Sequence, residues 1–142
     1  MRPPCRSHVS LAPVASPYVD TLDDAVFVVD ASVGGVSSFG CVALLLDGDD
    51  RLLTAVECVA CDTAARVVEL CRVLLAAASG EGAWRRLVVA STADAGVDAA
   101  AWGAVAAACA ASPVELVDWL LLDLPAGVVT SVAESVEGRC PW

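Results

Sequence analysis

The chain has 142 residues, 58% of them hydrophobic, and a formal net charge of −10 from 8 basic and 18 acidic side chains. That hydrophobic fraction excludes a disordered chain, the length suits one domain with a real core, and no apolar stretch reaches membrane-span length. All the basic residues are arginines, with Arg85-Arg86 the only adjacent pair, so the surface charge is the wrong sign for a polyanion except locally.

Met1 to Leu22 holds Pro3, Pro4, Pro13 and Pro17 and reads as a flexible arm ahead of a domain spanning residues 23–138. Ala25 to Asp30 is an apolar run that reads as a buried first strand delivering Asp30 to its C-terminal edge. Ser32 to Ser38 is a small-residue loop containing Gly34 and Gly35. Phe39 to Leu46 and Arg51 to Val59 read as two more strands around the turn Asp47-Gly48-Asp49-Asp50, where Asp-Gly favours positive φ, giving an antiparallel meander of three. Cys61-Asp62-Thr63 offers caps for a helix over Thr63 to Ala78, with Val67, Leu70, Cys71, Leu74, Leu75 and Ala78 on its apolar face and Glu69 among apolar neighbours.

A fourth strand follows over Arg86 to Ser91, an Ala-rich helix over Ala95 to Ala111, a fifth strand over Val114 to Leu122 and a last helix over Ala126 to Glu137. The expected order is βββαβαβα: an α/β fold with a mixed five-stranded sheet flanked by helices. Asp30 from a strand end and Glu69 from a helix could together suit a divalent cation, and Ser32, Gly34 and Gly35 could let a nucleic-acid backbone approach or simply make a tight turn.

Other chemistries find little support. His8 is the one histidine and lies in the arm, which disfavours a Ser- or Cys-hydrolase needing an imidazole base. Cys58-Val59-Ala60-Cys61 has CxxC spacing, but no second CxxC or His pair accompanies it, so it reads as small apolar groups rather than structural zinc. Seven cysteines without a recognisable pairing framework, and no signal peptide ahead of them, suit free thiols in an intracellular reducing compartment, cytoplasm or nucleus.

Val28-Val29-Asp30-Ala31-Ser32 with Gly34-Gly35, the hairpin Leu44 to Leu53, the helix start Thr63 to Leu70, the strand Trp84 to Val89 and Val117-Asp118-Trp119-Leu120 together resemble the ribonuclease H-like domain, in its type-1 short plant and bacterial form. The resemblance implies the ribonuclease H-like fold and metal-dependent endonucleolytic hydrolysis of RNA in RNA–DNA hybrids, with carboxylates holding Mg2+ or Mn2+ and the hybrid read by shape. It places the first two metal-binding acids on Asp30 and Glu69. The third and fourth positions fall on Thr92 and Val129, with Asp94 the neighbouring substitute, so the catalytic set would be Asp30, Glu69 and Asp94. Such depletion implies a degenerate member with activity impaired or lost. The alternative is a catalytically inactive module of the same fold that binds a protein partner; a mobile-element remnant is a third reading. The partner implied by the resemblance is an RNA–DNA hybrid or other nucleic acid, with no membrane.

Overall fold

The computed structural model describes residues 18–33, 40–81, 84–92, 97–123 and 126–142. In chain order the elements are α1 (Leu22–Val33), β1 (Cys41–Leu46), β2 (Leu52–Cys58), α2 (Ala64–Glu81), β3 (Arg86–Thr92), α3 (Ala99–Ala110), β4 (Glu115–Asp123), β5 (Val128–Ser131) and α4 (Val132–Glu137). The five strands form one mixed sheet in the order β2-β1-β3-β4-β5. β1 is antiparallel to both β2 and β3, β3 is parallel to β4, and β4 is antiparallel to β5.

Alternation along β1 sets up two cores. Val42, Leu44 and Leu46 face one side with Val88, Ala90, Leu120 and Leu122, and are covered by Ala25, Val28 and Val29 of α1. Cys41, Ala43 and Leu45 face the other side with Leu87, Val89 and Trp119, covered by α2, α3 and the start of α4. Both faces are therefore closed, which is why β1 is apolar and buried along its whole length.

The expected α/β class with a five-stranded mixed sheet is present; the expected order is not. Ala25 to Asp30 is not a strand but the middle of α1. Thr21 Oγ1 accepts a hydrogen bond from the Asp24 N–H at 3.1 Å, and Asp23 and Asp24 lie in the first turn, both favourable at a helix N-terminus. Ala25, Val28 and Val29 then recur at helical spacing and are buried, while Phe27 between them is 73% exposed. Tertiary burial of that stripe outweighs the β preference of the Val-Phe-Val-Val run. The meander is accordingly a two-stranded hairpin, and the order is αββαβαββα.

Two smaller differences follow. The expected last helix opens instead as β5, which pairs with β4 through Leu122↔Val129 and Leu120↔Ser131, and only Val132–Glu137 is helical. The segment Tyr18 to Leu22, expected within the arm, is packed: Val19 is buried, its N–H donates to the Asp50 carbonyl at 2.7 Å, and Tyr18 bridges Arg51. Residues 1–17 lie outside the described residues. In the β1–β2 connection the positive φ falls on Asp50 (67°) rather than Gly48. Asp47 Oδ1 accepts from the N–H groups of Asp49 and Arg51 at 2.8 and 3.0 Å and so fixes the turn.

A helix and a strand make opposite demands on Phe27 and Val29: a strand puts both on one face, a helix on opposite faces. Val29→Ala should therefore cost roughly 1–3 kcal/mol in urea unfolding, and Phe27→Ala less than about 0.5 kcal/mol. Equal losses at the two positions would restore the strand.

Candidate functional site

The structure keeps the two leading acids apart. Asp30 is exposed near the end of α1, and Glu69 is exposed on α2, where its Oε2 lies 3.5 Å from Arg72 Nη1. The two helices cover opposite faces of the sheet, so the sheet itself stands between the two carboxylates. A metal ion needs its oxygens within about 2–2.6 Å, and one ion cannot take both acids in this arrangement. Ser32 Oγ donates to the Val28 carbonyl at 2.8 Å, a back-bond within α1. Gly34, Gly35 and Asp94 lie outside the described residues.

Thr92 ends β3 half-buried, and Val129 sits on β5 opposite Leu122 rather than on a helix. Among the described residues, no group of three or more His, Cys, Asp or Glu side chains is arranged to hold a metal.

The acid the structure does organise is Asp118, which is fully buried in β4. The β3–β4 register slips between Leu87 and Val88, so that Leu116 and Asp118 are the partners of consecutive β3 residues and Val117 is the extra residue of a bulge. Oδ1 of Asp118 accepts from the N–H groups of Trp119 and Ala133 at 2.7 and 3.0 Å. Oδ2 accepts from Ser131 Oγ at 2.6 Å and from Trp142 Nε1 at 2.9 Å. Ser131 Oγ in turn caps α4 by accepting from the Glu134 N–H at 3.1 Å.

One carboxylate thus joins β4, the β5–α4 junction and Trp142, with two donors on each oxygen. Burial pushes its pKa above the ordinary carboxylate value, and the four hydrogen bonds oppose that push. Every acceptor direction of an ionised carboxylate is already answered inside the protein, so Asp118 acts as a structural tie rather than an open ligand. Its one sequence signal is a lone acid inside the otherwise apolar run Leu116 to Leu122.

Beside it, the Trp119 indole donates to Ser91 Oγ at 2.8 Å, both residues being buried. A surface depression of about 230 Å³ lies between α3, the start of β4 and the C-terminal segment, lined by Trp102, Ala106, Val114 and Glu137 among others. Its acid is occupied as well: Glu137 Oε1 accepts from Trp102 Nε1 at 3.2 Å and Oε2 from Arg139 Nε at 2.6 Å. The Arg139 bond, followed by the Trp102 bond, holds the Glu137 carboxyl below its usual range.

In comparison with known proteins the chain matches no family model, no curated sequence and no solved structure. Among the described residues no helix is long and apolar enough to cross a membrane.

Removing the Asp118 side chain strands three buried donors and the half-buried Trp142 indole. Asp118→Ala should cost about 3–5 kcal/mol, and Trp142→Phe, which removes a single donor, about 1 kcal/mol, both read from urea midpoints. The pH dependence has an unusual sign. Burial raises both Asp118 and Asp24, the latter helped by Asp20, so the folded chain binds these protons more tightly than the unfolded one. That contribution is fully present below the unfolded-state value and is lost as pH rises through the raised native values. Together with self-repulsion at net charge −10, it should make the urea midpoint fall as pH rises above the ordinary carboxylate range, with a smaller fall in Asp118→Asn.

Proposed function

We propose that this domain is a protein-interaction module that binds a basic, extended segment of its partner by strand addition at β2, rather than a hybrid-cleaving ribonuclease. One observation carries the reading: β2 ends the sheet, among the described residues no strand pairs with its outer edge beyond the single Tyr18–Arg51 bridge at its start, and the apolar side chains of Leu53 on β2 and Val59 in the turn after it stand 42% and 71% exposed. An open edge with apolar neighbours is a template for an added strand, whose main-chain hydrogen bonds give affinity and whose alternate side chains give specificity. The net charge of −10, together with exposed Glu57 and Asp62 beside the edge, favours a partner segment rich in Arg and Lys and repels a phosphate backbone.

Cleavage of RNA in RNA–DNA hybrids is the second reading. The run from β1 through β4 keeps the expected succession of a hairpin, a helix, a strand, a helix and a strand, which supports a relation to the ribonuclease H-like fold. The separation of Asp30 and Glu69 on opposite faces weighs against the chemistry.

Peptides selected on this protein from a random display library should be enriched in Arg and Lys with alternating apolar residues. They should bind Leu53→Lys at least tenfold more weakly (about 1.4 kcal/mol) than Val73→Lys, a control on exposed α2 surface. Selected sequences without that enrichment, or equal binding to both variants, would count against strand addition. A labelled RNA–DNA hybrid should survive incubation with Mg2+ or Mn2+; cleavage abolished by Asp30→Asn or Glu69→Gln would reinstate the ribonuclease.

A further inference from the structure

The turn after β2 brings two sulfurs together. Cys58 is the last residue of β2, Val59 and Ala60 form the turn, and the Cys61 N–H donates to the Cys58 carbonyl at 3.3 Å. An i to i+3 turn keeps its end Cα atoms within about 7 Å, close to the window a disulfide requires. The Cys61 thiol lies 3.0 Å from Cys58 Sγ and donates toward it.

The turn is held from two sides. Arg66 Nη1 donates to the Ala60 carbonyl at 3.0 Å and lies 3.4 Å from Asp62 Oδ1. Beneath the turn is Gly40, where a Cβ would come within 2.6 Å of the carbonyl oxygens of Cys58 and Val59, so the backbone sits directly on a position only glycine can fill. Cys58 is half-buried and Cys61 only 5% exposed, which divides the roles: the outer thiol meets the reagent and the inner one resolves. Burial and the bond to Cys58 push the Cys61 thiol up to about 12, so it waits protonated. Cys41, Cys71 and Cys109, also free thiols, are buried in the core and have no such access.

We propose that Cys58 and Cys61 are a thiol–disulfide exchange site whose substrate is a low-molecular-weight disulfide. Cys58 Sγ gives its proton to solvent and attacks one sulfur of the reagent. The reagent's S–S bond breaks, one reagent thiol leaves with a proton, and Cys58 carries a mixed disulfide. Cys61 Sγ then loses its proton and attacks Cys58 Sγ. The Cys58–Cys61 bond forms and the second reagent thiol leaves. Two protein thiols are oxidised by two electrons and one disulfide is reduced to two thiols. This site stands independently of the strand-addition reading, since the exchange needs no added strand and no partner protein.

The folded full-length chain is incubated with oxidised glutathione, quenched by alkylation, and read by intact mass and peptide mapping. The expected product is about 2 Da lighter, with the new disulfide mapped to Cys58–Cys61 and with Cys41, Cys71 and Cys109 still reduced. Cys61→Ser should accumulate glutathione on Cys58, and Cys58→Ser should form neither product. The urea-unfolded chain, lacking the seated turn, should form the 58–61 bond at least tenfold more slowly. A bond that forms elsewhere, a Cys61→Ser variant that traps nothing, or equal rates folded and unfolded would overturn the proposal. Circular dichroism of both variants separates lost reactivity from a lost fold: a native spectrum with no trapping overturns the proposal, and where a serine variant is unfolded the wild-type rate comparison decides.

Discussion

Both faces of the central strands are covered, so any polar atom placed on them must find its partner inside the protein. That constraint explains the apolar character of β1, the apolar run Leu87 to Ala90 of β3, and the treatment of the one buried acid in β4. Asp118 is tolerable in a closed interior because the β3–β4 bulge turns it toward the start of α4, where the Ala133 N–H and the Ser131 hydroxyl donate to it. The bond from Trp142 completes the set and draws the end of the chain against the α1 side of the sheet. Desolvation and donation work in opposite senses on the same carboxylate, and the first prevails in setting its affinity for protons. The tie therefore serves specificity of packing more than net stability.

Much of the architecture was legible in the residues because it follows from periodicity. Six successive elements, β1 through β4 with α2 and α3 between them, fall where alternation, capping residues and glycine or proline stops put them. The first element shows where that reading fails. Val26 to Val29 carries the β-branched and aromatic types of a strand, yet Thr21, Asp23 and Asp24 ahead of it are a helix start, and Leu22, Ala25, Val26 and Val29 fall at the spacing of a helical face. Intrinsic preference and capping chemistry disagreed, and burial against a sheet not yet defined at the sequence level decided between them. β5 was missed for a related reason: four residues leading into a helix carry too short a pattern to register, and only pairing with β4 makes them a strand.

The site was less legible than the fold. A pair of acids at matched motif positions says which residues a related protein would use, but their meeting depends on the layer each element occupies. Moving residues 25–30 from the sheet into a covering helix places Asp30 in a different layer from Glu69 without changing a single residue. The thiol expectation divides in the same way. The five free cysteines fit it, whereas Cys140 is disulfide-bonded and does not. Spacing alone gave Cys58 and Cys61 no chemistry beyond that of small apolar groups. Their sulfurs face each other only because β2 ends at Cys58 and the chain turns back on Gly40.

That corner of the molecule also shows why oxidation there is compatible with an intact edge strand. The sulfurs are 3.0 Å apart, and a disulfide closes at about 2.05 Å, so roughly 1 Å of side-chain movement separates the two states. The backbone bonds that define the turn are made by main-chain atoms and by the Arg66 side chain; the Arg66 carbonyl, 3.6 Å from the Cys61 thiol, only accepts from it. The N–H of Arg66 meanwhile donates to Thr63 Oγ1 at 3.3 Å in the first turn of α2, so one residue fixes both the turn and the helix that follows. A change of thiol state at this point therefore leaves β2 in register with β1. Its effect is confined to what the half-buried Cys58 can still react with.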